Sequence, residues 1–176
     1  MKEHQQHPAT AQVAVCGPRD CTPAEYAVAR RVGQLLAERG AVVLCGGGTG
    51  VMAAVTEGAR AAGGLVIGIR PNATRAGAHP DLSAVVLTDL GEARNAVLVT
   101  SADAVIAVGG SWGTLSELAF ACRRGDIPVL SLVGWKVLTP TGDPAPGITD
   151  VPTPEEAVTL ALDPGTWHAR PASGQK

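Results

Sequence analysis

At 176 residues, the chain is long enough to bury an apolar core without disulfides or a structural metal. Hydrophobic residues make up 45% of it and aromatics only 3%, so that core is built from small aliphatic side chains, chiefly Ala and Val. A formal net charge of −2 and the lack of any apolar run near ~20 residues speak against a basic nucleic-acid footprint and a bilayer-spanning segment.

Residues 1–11 are polar, rich in His and Gln and without the apolar stretch of a secretory signal, and are expected to form a flexible tail. A first strand is predicted at Gln12–Cys16, leading into Gly17-Pro18-Arg19. Thr22-Pro-Ala-Glu25 supplies an N-cap, a proline at the first helical position and a capping-box acid, so a helix is predicted from Thr22 to about Arg39, closed by Gly40. The second strand, Ala41–Cys45, runs into Gly46-Gly47-Gly48-Thr49-Gly50. A helix follows through Met52 to Gly63-Gly64. Strands are predicted at Leu65–Ile69 and Ala84–Thr88, then a helix from Asp89, with Glu92 three residues on, to near Ser101.

The strand Ala104–Val108 leads into Gly109-Gly110-Ser111-Trp112-Gly113-Thr114. A helix is expected from Thr114, with Glu117 three residues on, to near Gly125. Ile127–Val133 reads as the next strand, Trp135 to Gly147 as a Pro- and Gly-rich surface loop, and Ile148–Val151 as the site of a short last strand. Thr153-Pro-Glu-Glu156 opens a final helix ending near Leu162. Residues 163–176, rich in Pro, Gly and Ser, are expected to form a second flexible tail.

Strands alternating with helices indicate an α/β fold, a doubly wound, mostly parallel sheet of six or seven strands between helix layers, in one domain over residues 12–162. The strands are apolar throughout, as in a parallel sheet covered on both faces. Cys16, Cys21, Cys45 and Cys122 have no Cys-x-x-Cys spacing and no nearby His, so they read as reduced, mostly buried thiols, and no metal site is expected. This composition suits a cytoplasmic protein that acts on a metabolite.

Ligands of open parallel sheets bind beyond the carboxyl ends of the strands, where strand order reverses. Three loops here leave strand carboxyl ends with suitable chemistry: Gly17 to Arg19, Gly46 to Gly50 with Met52 just beyond, and Gly109 to Thr114. If the Gln12 and Ala104 strands are neighbours, the loops after them share one crevice. Glycine-rich turns into helices leave backbone amides uncovered and add the positive helix end, so these loops predict a phosphate site. Neither triple-glycine cluster ends in Gly-Lys-Ser/Thr, and neither follows the dinucleotide fingerprint with its ribose-binding acid, so ATP hydrolysis and ordinary NAD binding are not expected. Ser111 has no nearby His to activate it as a nucleophile.

The residues alone leave some roles open. Glu117 reads equally as the capping-box acid of Thr114 and as a functional carboxylate. Arg94 is either a solvated helix residue or an anion clamp pointed into the crevice. Asn95 could hydrogen-bond a ribose hydroxyl or a base edge. Trp112 either stacks on a base or simply packs.

Together these segments resemble the LONELY GUY (LOG) and molybdenum cofactor carrier-like superfamily, with its Rossmann-like nucleotide-binding domain, over roughly residues 12–133. Its hallmark Pro-Gly-Gly-x-Gly-Thr-x-x-Glu appears as Val108-Gly-Gly-Ser-Trp-Gly-Thr-Leu-Ser-Glu117, with one residue more between the glycines and Val in place of Pro. The preceding Arg-Lys-x-x-Met element appears as Arg94-Asn-Ala-Val-Leu98. In the hydrolases, the Arg and Glu at the positions of Arg94 and Glu117 are the catalytic pair. The resemblance therefore implies cleavage of the N-glycosidic bond of a nucleoside 5′-monophosphate to free base and ribose 5-phosphate, with no cofactor. Asn95, Leu98 and Val108 depart toward the carrier branch, which implies the alternative of a protein that binds a nucleotide or pterin phosphate without turning it over. The expected partner is a small phosphorylated ligand, not a nucleic acid or a membrane. The resemblance also implies a homodimer or homotetramer, for which helices such as Leu115–Cys122 would suit close subunit contact.

Overall fold

A computed structural model describes residues 10–163 and Gly165, so most of both predicted tails lies outside the described residues. The elements are β1 (Gln12–Cys16), α1 (Pro23–Glu38), β2 (Val42–Cys45), α2 (Val51–Ala61), β3 (Val66–Arg70), β4 (Ala84–Leu87), α3 (Arg94–Thr100), β5 (Ala104–Val108), α4 (Trp112–Arg124), β6 (Val129–Leu132), β7 (Thr149–Asp150) and α5 (Pro154–Ala161). A 3-10 turn, Gly91–Ala93, leads into α3. The seven strands form one sheet in the order β4-β3-β2-β1-β5-β6-β7, and every pairing is parallel. This is a three-layer, Rossmann-like α/β/α sandwich.

Side chains alternate between the two faces along each strand, so each face builds its own core. On one face, Val13, Val15, Val43 and Ile106 pack under α1, α2 and α5. On the other, Ala14, Cys16, Leu44 and Val105 meet Leu98 and Val99 of α3 and Leu118 and Ala121 of α4. The interior has few bulky side chains, and α1 and α2 approach closely through glycine. A Cβ at Gly33 would collide with the Val55 carbonyl, and one at Gly58 with the Arg30 carbonyl.

Strand order reverses at β1, which has β2 on one side and β5 on the other. The loops after β1 and β5 are therefore neighbours, and a Cβ at Gly17 would lie 2.6 Å from the Val108 carbonyl oxygen.

Helix starts differ from the sequence reading in two places that matter for the site. Asp89 does not open a helix: its φ is 53° and Gly91 follows at 54°, so the chain turns through left-handed backbone before α3 begins at Arg94 with no side-chain cap. The helix expected from Thr114 begins two residues earlier, at Trp112, with Ser111 as its cap. Ser111 has the extended backbone of an N-cap and its Oγ accepts from the Thr114 N–H at 3.2 Å. The Thr22–Glu25 box forms as expected, with Glu25 N–H donating to Thr22 Oγ1 and Thr22 N–H to Glu25 Oε2. β6 is shorter than predicted and stops at Leu132, where Val133 takes a φ of 46°. The four cysteines are free; Cys16 and Cys45 are buried, Cys21 and Cys122 half-buried. No helix among the described residues is long and apolar enough to cross a membrane.

Candidate functional site

A crevice of about 760 Å³ opens at the carboxyl ends of β1 and β5. The β1–α1 loop contributes Gly17 and Arg19, α3 contributes Arg94 and Asn95, and Gly46 and Met52 close one side. The turn before α4 and its first residues supply Gly110 through Thr114, and Glu117 follows further along the helix. Gly47, Gly48, Thr49, Gly50 and Gly109 do not line the crevice. Gly47, at φ 68°, lies against Gly68 of β3. Thr49 donates its hydroxyl to the Arg19 carbonyl at 3.3 Å, and Gly50 has φ 63° where a Cβ would meet that same carbonyl, so both hold the loops after β1 and β2 together. Gly109 gives its N–H to Leu132 O at 2.9 Å.

The start of α4 has the chemistry of an anion site. Ser111 Oγ takes the Thr114 N–H and the Ser111 carbonyl takes that of Leu115. The N–H groups of Trp112 and Gly113 precede the helical ladder and have no intrahelical acceptor. A Cβ at Gly113 would touch only Ser111 Oγ, at 3.7 Å, so the loop is open toward the crevice there.

Starting α4 at Trp112 removes the capping-box reading of Glu117. The carboxylate is more than a full turn inside the helix and does not cap it. Glu117 is 5% exposed, and its Oε1 accepts from Arg94 Nη1 at 3.2 Å. Arg94 is equally buried, at 7%. Burial raises the Glu117 carboxyl above its usual range, opposed by the Arg94 charge and by the thiol of Cys16. The thiol of Cys16 is itself raised well above its usual range, first by burial and then by Glu117.

Two buried polar atoms beside this pair have no partner: Arg94 Nε and Asn95 Oδ1. Asn95 otherwise donates from Nδ2 to Ser116 Oγ at 3.3 Å. A buried donor and a buried acceptor left unmet on residues that line a concave site fit groups that a bound molecule would satisfy.

Sequence reasoning missed several lining residues. Trp135, from the loop after β6, stands edge-to-face with Trp112 at 5.2 Å, so an aromatic pair marks the rim. Asp20 and Glu92 add negative charge to the same walls. Glu92 had been visible as a supposed helix-start acid; nothing in the pattern around Trp135 marks it. Among the described residues, no group of three or more His, Cys, Asp or Glu could hold a metal ion.

The SLOG cluster4 family matches residues 10–158. An uncharacterized protein of Archaeoglobus fulgidus is 40% identical over 86% of this chain and 94% of its own length. The molybdenum cofactor binding protein from the phototrophic bacterium Rippkaea orientalis superposes with a TM-score of 0.77 at 34% identity, covering 86% of this chain and 94% of that one. A cytokinin riboside 5′-monophosphate phosphoribohydrolase of Mycobacterium tuberculosis is 34% identical over 61% of this chain, which spans 62% of that enzyme.

Proposed function

The chain belongs to the SLOG cluster4 family, within the superfamily that holds LOG hydrolases and molybdenum cofactor carriers, and from that premise we propose that it is a phosphoribohydrolase of nucleoside 5′-monophosphates. The observation that carries this reading is the buried Arg94–Glu117 pair at 3.2 Å, lining the same crevice as the start of α4, whose N–H groups suit an anion. A capping or surface role explains neither the burial of these two charges nor their placement.

In this reading the 5′-phosphate accepts from the N–H groups at the start of α4, and that remote binding positions the reacting bond. Gly17, Gly46 and Met52 shape the walls, and Asn95 Oδ1 accepts from a ribose hydroxyl or base N–H. The N-glycosidic bond breaks with its electron pair going to the base nitrogen. Positive charge grows at C1′ and the ring oxygen, and ionised Glu117 stabilises it. Water adds at C1′, one of its protons is accepted by Glu117 and passed to the departing base, and ribose 5-phosphate results. Arg94 orients the Glu117 carboxylate and keeps it ionised.

A second reading has its own support. Asn95, Leu98 and Val108 stand where the hydrolase motifs carry Lys, Met and Pro, and the carrier-like structure aligns over nearly its whole length. In that reading the same crevice holds a pterin phosphate without cleaving it.

Chromatographic detection of released base separates the two. Purified protein is incubated with AMP, CMP, GMP, UMP and an N6-substituted AMP. The hydrolase reading expects base release from at least one of them, falling by ~100-fold or more in Glu117→Gln. Absence of release from every substrate, with molybdopterin binding intact, makes the protein a carrier.

A further inference from the structure

We propose a second anion subsite beside the first, where Arg70, next to Gly48 and outside the crevice lining, adjoins Arg19 and Arg94 of the crevice wall at Gly46, so that the protein takes a ligand with two anionic groups. This rests on the phosphate reading of the α4 start but places a second, separate anion at the mouth of the β2–α2 loop.

Arg70 ends β3 and was not singled out by any motif. With no side chains on Gly46 and Gly48, Met52 and the arginines come up close against the β2–α2 loop. The position of a Cβ at Gly46 is 2.8 Å from Arg94 Nη2, and that of a Cβ at Gly48 is 3.3 Å from Arg70 Nη1. Met52 forms the floor between them, its methyl 3.2 Å from the Gly48 position. Arg19 follows β1 on the crevice wall, and its carbonyl is bonded to Thr49 of the same loop.

The donors are not used up within the protein. Arg70 Nη2 donates to Ala76 O at 2.9 Å, but its Nε is buried with no partner. Arg94, with only 8% of its side chain exposed, gives one nitrogen to Glu117, and its Nε too is buried without a partner. Among the described residues, neither Arg19 nor Arg70 forms an ion pair within 4 Å. Asp20 and Glu92 line the crevice but do not pair with them.

The cluster is also electrostatically unfavourable as it stands. Arg70 is lowered from its usual range by burial and then by the like charges of Arg19 and Arg94. The mutual repulsion of the three guanidiniums is relieved when an anion enters between them, and a planar fork with free N–H groups fits phosphoryl or carboxylate oxygens. A ligand with a single phosphate on the α4 start would leave this cluster unmet. A sugar phosphate or nucleotide with a second phosphoryl or carboxylate group satisfies both.

The test follows backbone amide NMR signals of the whole chain while inorganic phosphate is titrated. Two separate responses are expected, one at Gly110–Thr114 and one at Gly46–Gly48. In Arg70→Gln the Gly46–Gly48 response is expected to weaken ~10-fold or more while the Gly110–Thr114 response persists; Arg19→Gln gives the same pattern independently. The dispersion of the remaining signals reports that each variant is folded. Response at Gly110–Thr114 alone, or a Gly46–Gly48 response that both variants leave unchanged, overturns the second subsite and leaves the proposed function standing. No response at either loop overturns both.

Discussion

Glu117 is under two opposing influences, burial favouring the neutral acid and the Arg94 guanidinium favouring the carboxylate, and burial is the larger. If ionised Glu117 does the chemistry, kcat/KM for base release rises with pH through an ionisation above the ordinary carboxylate value of about 4.3. Replacing Arg94 with Met removes the charge that holds Glu117 ionised, and the midpoint of the pH profile moves further up. The same shift has a stability consequence. A carboxyl whose folded-state value is raised contributes stability fully below its unfolded-state value and loses it as pH rises through the folded one. Glu117→Gln is therefore expected to gain stability relative to wild type as pH rises from the ordinary carboxylate value of about 4.3 through the raised folded-state value, read from urea midpoints at each pH. Glu117 and Arg94 were visible as candidates in the sequence, but their meeting was not. They lie 23 residues apart on helices either side of β5, and only the packing of α3 beside α4 brings them together.

At the scale of elements, helix caps carry the next predictions. Ser111→Ala removes the acceptor of the Thr114 N–H at the start of α4 and is expected to cost about 1 kcal/mol in chemical unfolding, while also loosening the anion site. Gly58→Ala places a methyl against the Arg30 carbonyl where α2 crosses α1, and overpacking there is expected to cost about 1–3 kcal/mol by the same measurement. The strands were readily legible, because uninterrupted apolar runs bounded by glycine leave few alternatives. Helix starts were less so. Thr22-x-x-Glu25 and Thr114-x-x-Glu117 carry the same local pattern, yet only the first is a capping box. Ser111 comes first in the chain and already has extended backbone, so it takes the cap and turns Glu117 toward the crevice instead. Arg70 and Trp135 were not legible at all: each is a lone residue at the end of a strand or in a loop, and only the tertiary structure sets it beside the site.

On the scale of the whole molecule, the β1–β5 junction organises everything functional. The loops after β1 and β5 meet there, and α3 and α4 converge on it. This junction also sets the order in which the protein can become competent. β5 lies in the middle of the sheet between β1 and β6, but the chain reaches it only from the outer strand β4, and the Gln12–Asp103 bond beside that pairing spans 91 residues. The neighbouring crossover progression β1-α1-β2-α2-β3 closes through much shorter chain separations, which cost less entropy and form faster. Refolding from urea is thus expected to restore helix content before ligand binding, with far-UV circular dichroism recovering ahead of phosphate-dependent amide shifts in time-resolved measurements. A partly folded chain with half its sheet in place would have no crevice, so newly made protein remains unable to engage its ligand until the central strand is seated.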